Sequence, residues 1–139
     1  MKIIATGLRF PEGPIAMRDG SILLVEIERQ TLSRVQLDGR VDVVAQIPGG
    51  PNGAALGPGG CVYVCNNGGM SWSRSAATLR PHGVPDNYEG GGIDVVDLST
   101  GRVDSGSPIL ASAATVTWTA ASSTGPAPTV ARSAKLPVR

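Results

Sequence analysis

The chain has 139 residues, 19 of them glycine and 11 proline, with 4% aromatic residues and a net charge of +1. That length gives one domain, the near-zero charge leaves no basic stripe for nucleic acid, and no apolar run is long enough to span a bilayer. Glycine and proline at this density suit many turns joining short strands, so the expected class is all-β.

Residues Met1 to Gly7 lack the apolar segment and cleavage site of a signal peptide, and a cytoplasmic location is the expectation. Ile3 to Leu8 is expected to form a lead-in strand. Phe10-Pro11-Glu12-Gly13-Pro14 follows. Proline fixes φ and cannot donate to a sheet ladder, which places this segment at the start or edge of a strand. Glu12 is thus held on a stiff frame at a strand end, as a metal ligand or a general base requires; the alternative is a surface glutamate beside a turn. Asp19-Gly20 then makes a tight turn into an apolar strand, Ser21 to Ile27. Leu32 to Leu37 and Val41 to Ile47 complete a set of four strands, joined by the hairpin signal Asp38-Gly39. Pro48-Gly49-Gly50-Pro51 ends it.

The pattern then restarts. Asn52-Gly53 stands where Glu12-Gly13 stood, Gly59-Gly60 where Asp19-Gly20 stood, and Val62-Tyr63-Val64 where Ile22-Leu23-Leu24 stood, all at an offset of 40 positions. A period of about 40 to 45 is that of a four-stranded propeller blade. Cys61 and Cys65 are the only cysteines. Four residues along a strand span roughly 13 Å, too far for a disulfide, so both are expected to be free, buried thiols. Ile93 to Leu98 and Val103 repeat Leu32 to Val41, after an insert from about Gly68 to Gly92. A loop of that length is a functional lid or a mobile segment. It holds Trp72, His82, Asp86 and Tyr88; the two aromatics either anchor the loop or form a sugar-stacking lid. His82, the single histidine, reads as a surface loop residue, with a substrate-proximal lid residue as the alternative, and no serine–histidine–acid triad is credible. Gly90-Gly91-Gly92 precedes a strand, so it is no phosphate cradle. Residues 105–139 contain no Asp or Glu and are rich in Ala, Ser, Thr and Pro. They read as a low-complexity tail, disordered or aberrant, with one candidate strand at Thr115 to Thr119.

Phe10-Pro11-Glu12-Gly13-Pro14, Asp19-Gly20-Ser21, Pro51-Asn52-Gly53, Val62 to Gly69 and Ile93 to Leu98 resemble the N-terminal part of the senescence-marker-protein/gluconolactonase/luciferin-regenerating-enzyme family, over roughly residues 5–104. The resemblance implies a six-bladed β-propeller, of which about two blades are present in residues 1–104. It implies a divalent metal in the central channel (calcium, zinc, magnesium or manganese) and a small sugar lactone as substrate. The family's first metal ligand, the glutamate of Glu-Gly-Pro, falls on Glu12. Asn52, Asn66 and Asn67 are candidate substrate contacts, with turn-forming or backbone-capping roles as the alternative. The family's later Pro-Asn-Asp motif and its aspartate ligand have no counterpart here.

Two functional classes follow. One is a metal-dependent lactone hydrolase, with this chain a truncated, inactive fragment of it, its tail translated out of frame or truncated in the real product. The other is a non-catalytic propeller fragment that binds a ligand or partner. No catalytic residue and no oligomeric state can be assigned. Two blades cannot close a ring, so Leu24, Val44 and Val64 are expected to lie exposed on open blade faces.

Overall fold

The structure, a computed structural model, describes residues 2–106. Two four-stranded antiparallel sheets form its body. The first runs in chain order through β1 (Pro11–Ala16), β2 (Ile22–Glu26), β3 (Thr31–Val35) and β4 (Val41–Gln46). The second uses β5 (Pro51–Leu56), β6 (Cys61–Asn66), β9 (Gly92–Asp97) and β10 (Val103–Ser105) in the same meander. Each sheet is one blade. The expected all-β class and the two blades are therefore present, with the breaks at the turn residues named above. The expected tail and the candidate strand at Thr115 to Thr119 lie outside the described residues.

The repeat holds at the level of register. Pro11 faces Glu26 in the first blade and Pro51 faces Asn66 in the second. Glu26 faces Thr31, and Asn66 faces Gly92. The insert enters at Asn66 and leaves at Gly92. It contains a hairpin of its own, β7 (Trp72–Arg74) paired with β8 (Leu79–Pro81), so it is more ordered than an irregular loop.

The blades stack through one apolar layer. Leu23, Val25 and Leu32 from the first blade meet Val62, Val64 and Val96 from the second, each fully buried. Burying such side chains contributes about 1.5–3 kcal/mol each. The two edge strands β1 and β5 come close because glycine permits it. Gly13 has φ +54°, and a Cβ there would lie 3.0 Å from the Gly53 Cα and the Ala54 nitrogen.

Two expectations are corrected. Residues 3–8 form no strand: no described strand lies beside them to pair with. They still run along the first blade. The Ile4 carbonyl abuts Gly39, the Gly7 carbonyl accepts from Arg29 at 2.9 Å, and the Arg9 N–H reaches Glu26. The exposure expected at Leu24 and Val64 is also absent, at 6% and 0%, and Val44 is half-buried. Val64 faces the stacked first blade, and Leu24 shares its face with Glu26, along which the lead-in segment runs. The half-buried apolar face is instead that of Tyr63, Ile93 and Val95. The two cysteines form no disulfide with each other, as expected; Cys65 is buried, but Cys61 is only half-buried, not buried as expected.

Candidate functional site

Each blade's first strand is bulged near its start. In β1 the register slips between Glu12 and Ile15, and in β5 between Pro51 and Gly53. A bulge leaves an extra residue outside the ladder and re-aims side chains. Glu12 and Asn52 sit at these two places, on edge strands whose backbones touch at Gly13 and Gly53. Both side chains are exposed, and neither makes a hydrogen bond or ion pair among the described residues. The structure thus brings Glu12 and Asn52 to one edge.

Asn66 lies across the ladder from Pro51, and Asn67 follows it, but the side chains of both are committed to the protein's own frame. Asn66 spends its amide on the protein: Oδ1 accepts from the Gly50 N–H at 2.8 Å and the Gly68 N–H at 2.9 Å. Its Nδ2 donates to the Pro48 carbonyl at 2.7 Å and to Asp94 Oδ2 at 2.8 Å. Four bonds exhaust a carboxamide. Asn67 Oδ1 accepts from the Gly69 N–H at 2.9 Å, an Asx turn that opens the insert.

Glu26 holds the position equivalent to Asn66 in the first blade. It is fully buried. One carboxylate oxygen accepts from the Arg9 N–H at 2.7 Å; the other accepts from Ser33 Oγ at 2.7 Å and Arg29 Nη1 at 3.1 Å. Ser33 and Asp94 occupy equivalent places on β3 and β9, as partners of Leu24 and Val64. Both blades therefore carry a polar strut between their second and third strands, fully buried in the first and partly buried in the second. Each strut ties down the backbone that leads into the bulged strand, at Arg9 in one blade and Gly50 in the other. A second bond repeats beside it, Ile27 N–H to the Phe10 carbonyl at 3.1 Å and Asn67 N–H to the Gly50 carbonyl at 2.9 Å.

Between the strut and Glu12 lies Phe10, at φ +55°. The left-handed region is an outlier for a bulky residue. Its ring meets Trp72 of β7, with centroids 5.0 Å apart and planes at 59°. Arg74 on the same strand pairs with Glu28, which also pairs with Arg9 at 3.4 Å. The insert of the second blade is thus fastened to the first, two residues from Glu12. Trp72 takes the anchoring role; Tyr88 packs its ring on Gly68. His82 and Asp86 are exposed. An open depression of about 470 Å³ lined by Ala16, Met17, Arg18, Asp19 and Leu56 lies at the other end of β1 and β5. Beside it, the Ser21 hydroxyl and N–H hold the Asp19 carboxyl below its ordinary value of 3.8, with Arg34 adding to the effect.

Glu12 carries a carboxylate and Asn52 an amide oxygen, both without a partner among the described residues, and oxygen donors of this kind suit a hard divalent cation. No group of three or more His, Cys, Asp or Glu side chains gathers for a metal among the described residues. No helix among them is long and apolar enough to cross a membrane.

The signal for Glu12 and Asn52 was present in the sequence as Pro and Gly flanks at one offset. The struts were signalled only in part: Glu26 and Asp94 read as ordinary charged residues within strands, whereas Asn66 takes the backbone-capping role given above as its alternative. A family model described as the SMP-30/Gluconolactonase/LRE-like region matches residues 10–120. No curated protein matches the chain.

Proposed function

The chain belongs to the SMP-30/gluconolactonase/LRE-like family, and from that premise we propose that it carries part of the site of a lactone hydrolase acting on sugar-type lactones. The observation that carries this reading is Glu12: a carboxylate without a partner among the described residues, exposed on a bulged edge strand. In the proposal Glu12 is a ligand of a divalent cation, and Asn52 contacts the substrate from the neighbouring blade. Asn66 and Asn67 shape the frame. When bound, the cation would polarise a lactone carbonyl. A reducing, cytoplasmic setting accords with two cysteines that form no disulfide with each other.

The test is Glu12→Gln in a six-bladed protein that completes these two blades. Cation affinity falls by at least roughly tenfold, as for residues that support a metal site, and lactone turnover falls with it. Unchanged affinity and turnover in the variant would disprove the assignment. The 139-residue chain itself is expected to turn over little or no lactone, since its described residues gather too few acidic ligands. That same shortage supports a second reading, a non-catalytic propeller piece that binds a small ligand at the Glu12–Asn52 edge. Lactone binding without hydrolysis in the completed protein would select it.

A further inference from the structure

We propose that Glu26 is a positioning residue for Glu12, an inference that rests on the reading of Glu12 as a divalent-cation ligand. The first observation is the buried carboxylate itself. Glu26 is a charged group taken wholly out of water, a placement that persists only where hydrogen bonds satisfy it. Three donors do so, and one of them is not a side chain: the backbone N–H of Arg9. Glu26 therefore fixes a piece of main chain, three residues ahead of Glu12.

The second observation is the backbone that this bond restrains. Phe10 stands in the left-handed region, a conformation that costs about 1–3 kcal/mol and survives only when its surroundings over-determine it. Three fastenings surround Phe10. Glu26 holds the residue before it, the Ile27 N–H holds its carbonyl, and Trp72 holds its ring. The residue after it is Pro11, with its fixed φ, and then comes Glu12. Releasing Arg9 lets Phe10 relax toward ordinary backbone angles, and Pro11 passes that rotation on to the Glu12 carboxylate.

The third observation is the repeat. Asn66 makes the same kind of bond to the Gly50 N–H, ahead of Pro51 and Asn52. The chemistry differs: a carboxylate with a serine hydroxyl and an arginine in one blade, an amide with an aspartate in the other. What both keep is an acceptor aimed at the backbone that feeds the bulged strand. Gly50 needs no strain relief, since its φ is not among the positive ones. The charged acceptor, which makes the stronger hydrogen bond, stands in the blade whose entry is strained.

The test uses the full chain, labelled with ¹⁵N and titrated with Mn²⁺, whose paramagnetism broadens nearby amide signals even when binding is weak. In the wild type, broadening centres on Glu12 and Gly13, and Glu12→Gln abolishes it. Glu26→Gln weakens Mn²⁺ binding there roughly tenfold, the lower end for groups that orient a ligand, while signals of β6 and β9 stay in place. Because Glu12→Gln already abolishes the broadening, the Glu26→Gln effect is read in the wild-type background, where unmoved β6 and β9 signals separate it from a general loss of stability. Ser33→Ala keeps the buried charge and removes one donor, and it gives a smaller loss in the same direction. Wild-type Mn²⁺ affinity in a folded Glu26→Gln protein overturns the proposal, and if that variant does not fold, wild-type affinity in Ser33→Ala does so. Broadening that survives Glu12→Gln overturns the cation reading of Glu12 itself, a separate result.

Discussion

The two blades share a register and differ in what covers them. Leu23, Val25 and Leu32 of the first blade are fully buried because the second blade stacks on them. Their equivalents in the second blade are Tyr63, Cys65 and Ile93, and Tyr63 and Ile93 are only half-buried. On the opposite face the difference is smaller, since Leu24 and Val35 are buried in the first blade and only Ile22 is half-buried. Val62, Val64 and Val96 are sealed by the first blade, whereas the equivalents Ile22, Leu24 and Val35 lie on the face followed by residues 4–9. Even that lead-in obeys the repeat: the Ile4 carbonyl abuts Gly39 as the Val44 carbonyl abuts Gly101. Residues 3–8 thus stand where β4 stands one blade later. The difference teaches that a blade's sequence prepares both faces for stacking, and that its neighbours decide how deeply each face is buried.

The largest expected effect tests that lesson directly. Leu32→Ala removes a fully buried side chain and is expected to lower stability by about 2–5 kcal/mol. Ile93→Ala, at the equivalent place on the half-buried face, is expected to lose less than half of that. Urea denaturation of both variants checks the pair, and equal losses would break the comparison.

Next comes the strut of the second blade. Asn66→Ala strands the Gly50 and Gly68 N–H groups, the Pro48 carbonyl and Asp94. Of these, the Gly50 N–H and Asp94 are buried, and a loss of about 1–3 kcal/mol follows for an unsatisfied buried group. Amide exchange should quicken at Gly50 and Gly68 while the Arg9 amide keeps its protection. Faster exchange at Arg9 would mean that the two struts are not independent.

The strap between the blades is weaker. Trp72→Ala loses an aromatic pair worth about 0.5–1.5 kcal/mol beyond its buried area. Amides of β7 and β8 should then exchange faster, with β6 and β9 unchanged.

The smallest effect concerns two exposed turns. Asp19 and Asp97 both sit below the ordinary carboxyl value of 3.8, held chiefly by the hydroxyls and N–H groups of Ser21 and Ser99. A lowered folded-state value means a contribution to stability that is present above the unfolded value and lost as pH falls through the lowered one. Ser21→Ala should raise the Asp19 value toward 3.8 and leave Asp97 unmoved, as an NMR titration would show.

Much of this architecture was legible in the residues. Asp19-Gly20, Asp38-Gly39 and Gly59-Gly60 mark turns, and the apolar runs between them became strands with the expected partners. Glu12 and Asn52 were legible because proline and glycine flank both. A capping role was legible at Asn66, but the strut pairings were not, since the Asn66–Asp94 bond joins residues 28 positions apart and no local pattern encodes it. The lead-in failed as a strand for a related reason. Ile3 and Ile4 have the right propensity, but strand pairing needs a partner that local sequence does not supply. The hairpin in the insert was hidden by its short strands and by Pro81.

The two ends of the insert, Asn66 and Gly92, face each other in one ladder. In the first blade the same gap, Glu26 to Thr31, is bridged by four residues, Ile27 to Gln30. Because the ends already sit side by side, chain added here need only close a loop. Lengthening it from four residues to the 25 of Asn67 to Gly91 costs about 1.6 kcal/mol of closure entropy. That sum is of the same order as the Trp72–Phe10 contact and the Arg74–Glu28 pair, through which the added chain holds on to the neighbouring blade. The junction is therefore a graft point: foreign sequence can be spliced between Asn66 and Gly92, or this one excised, while the ladder on either side stays in register. Evolution could vary the surface beside Glu12 from here without redesigning a blade.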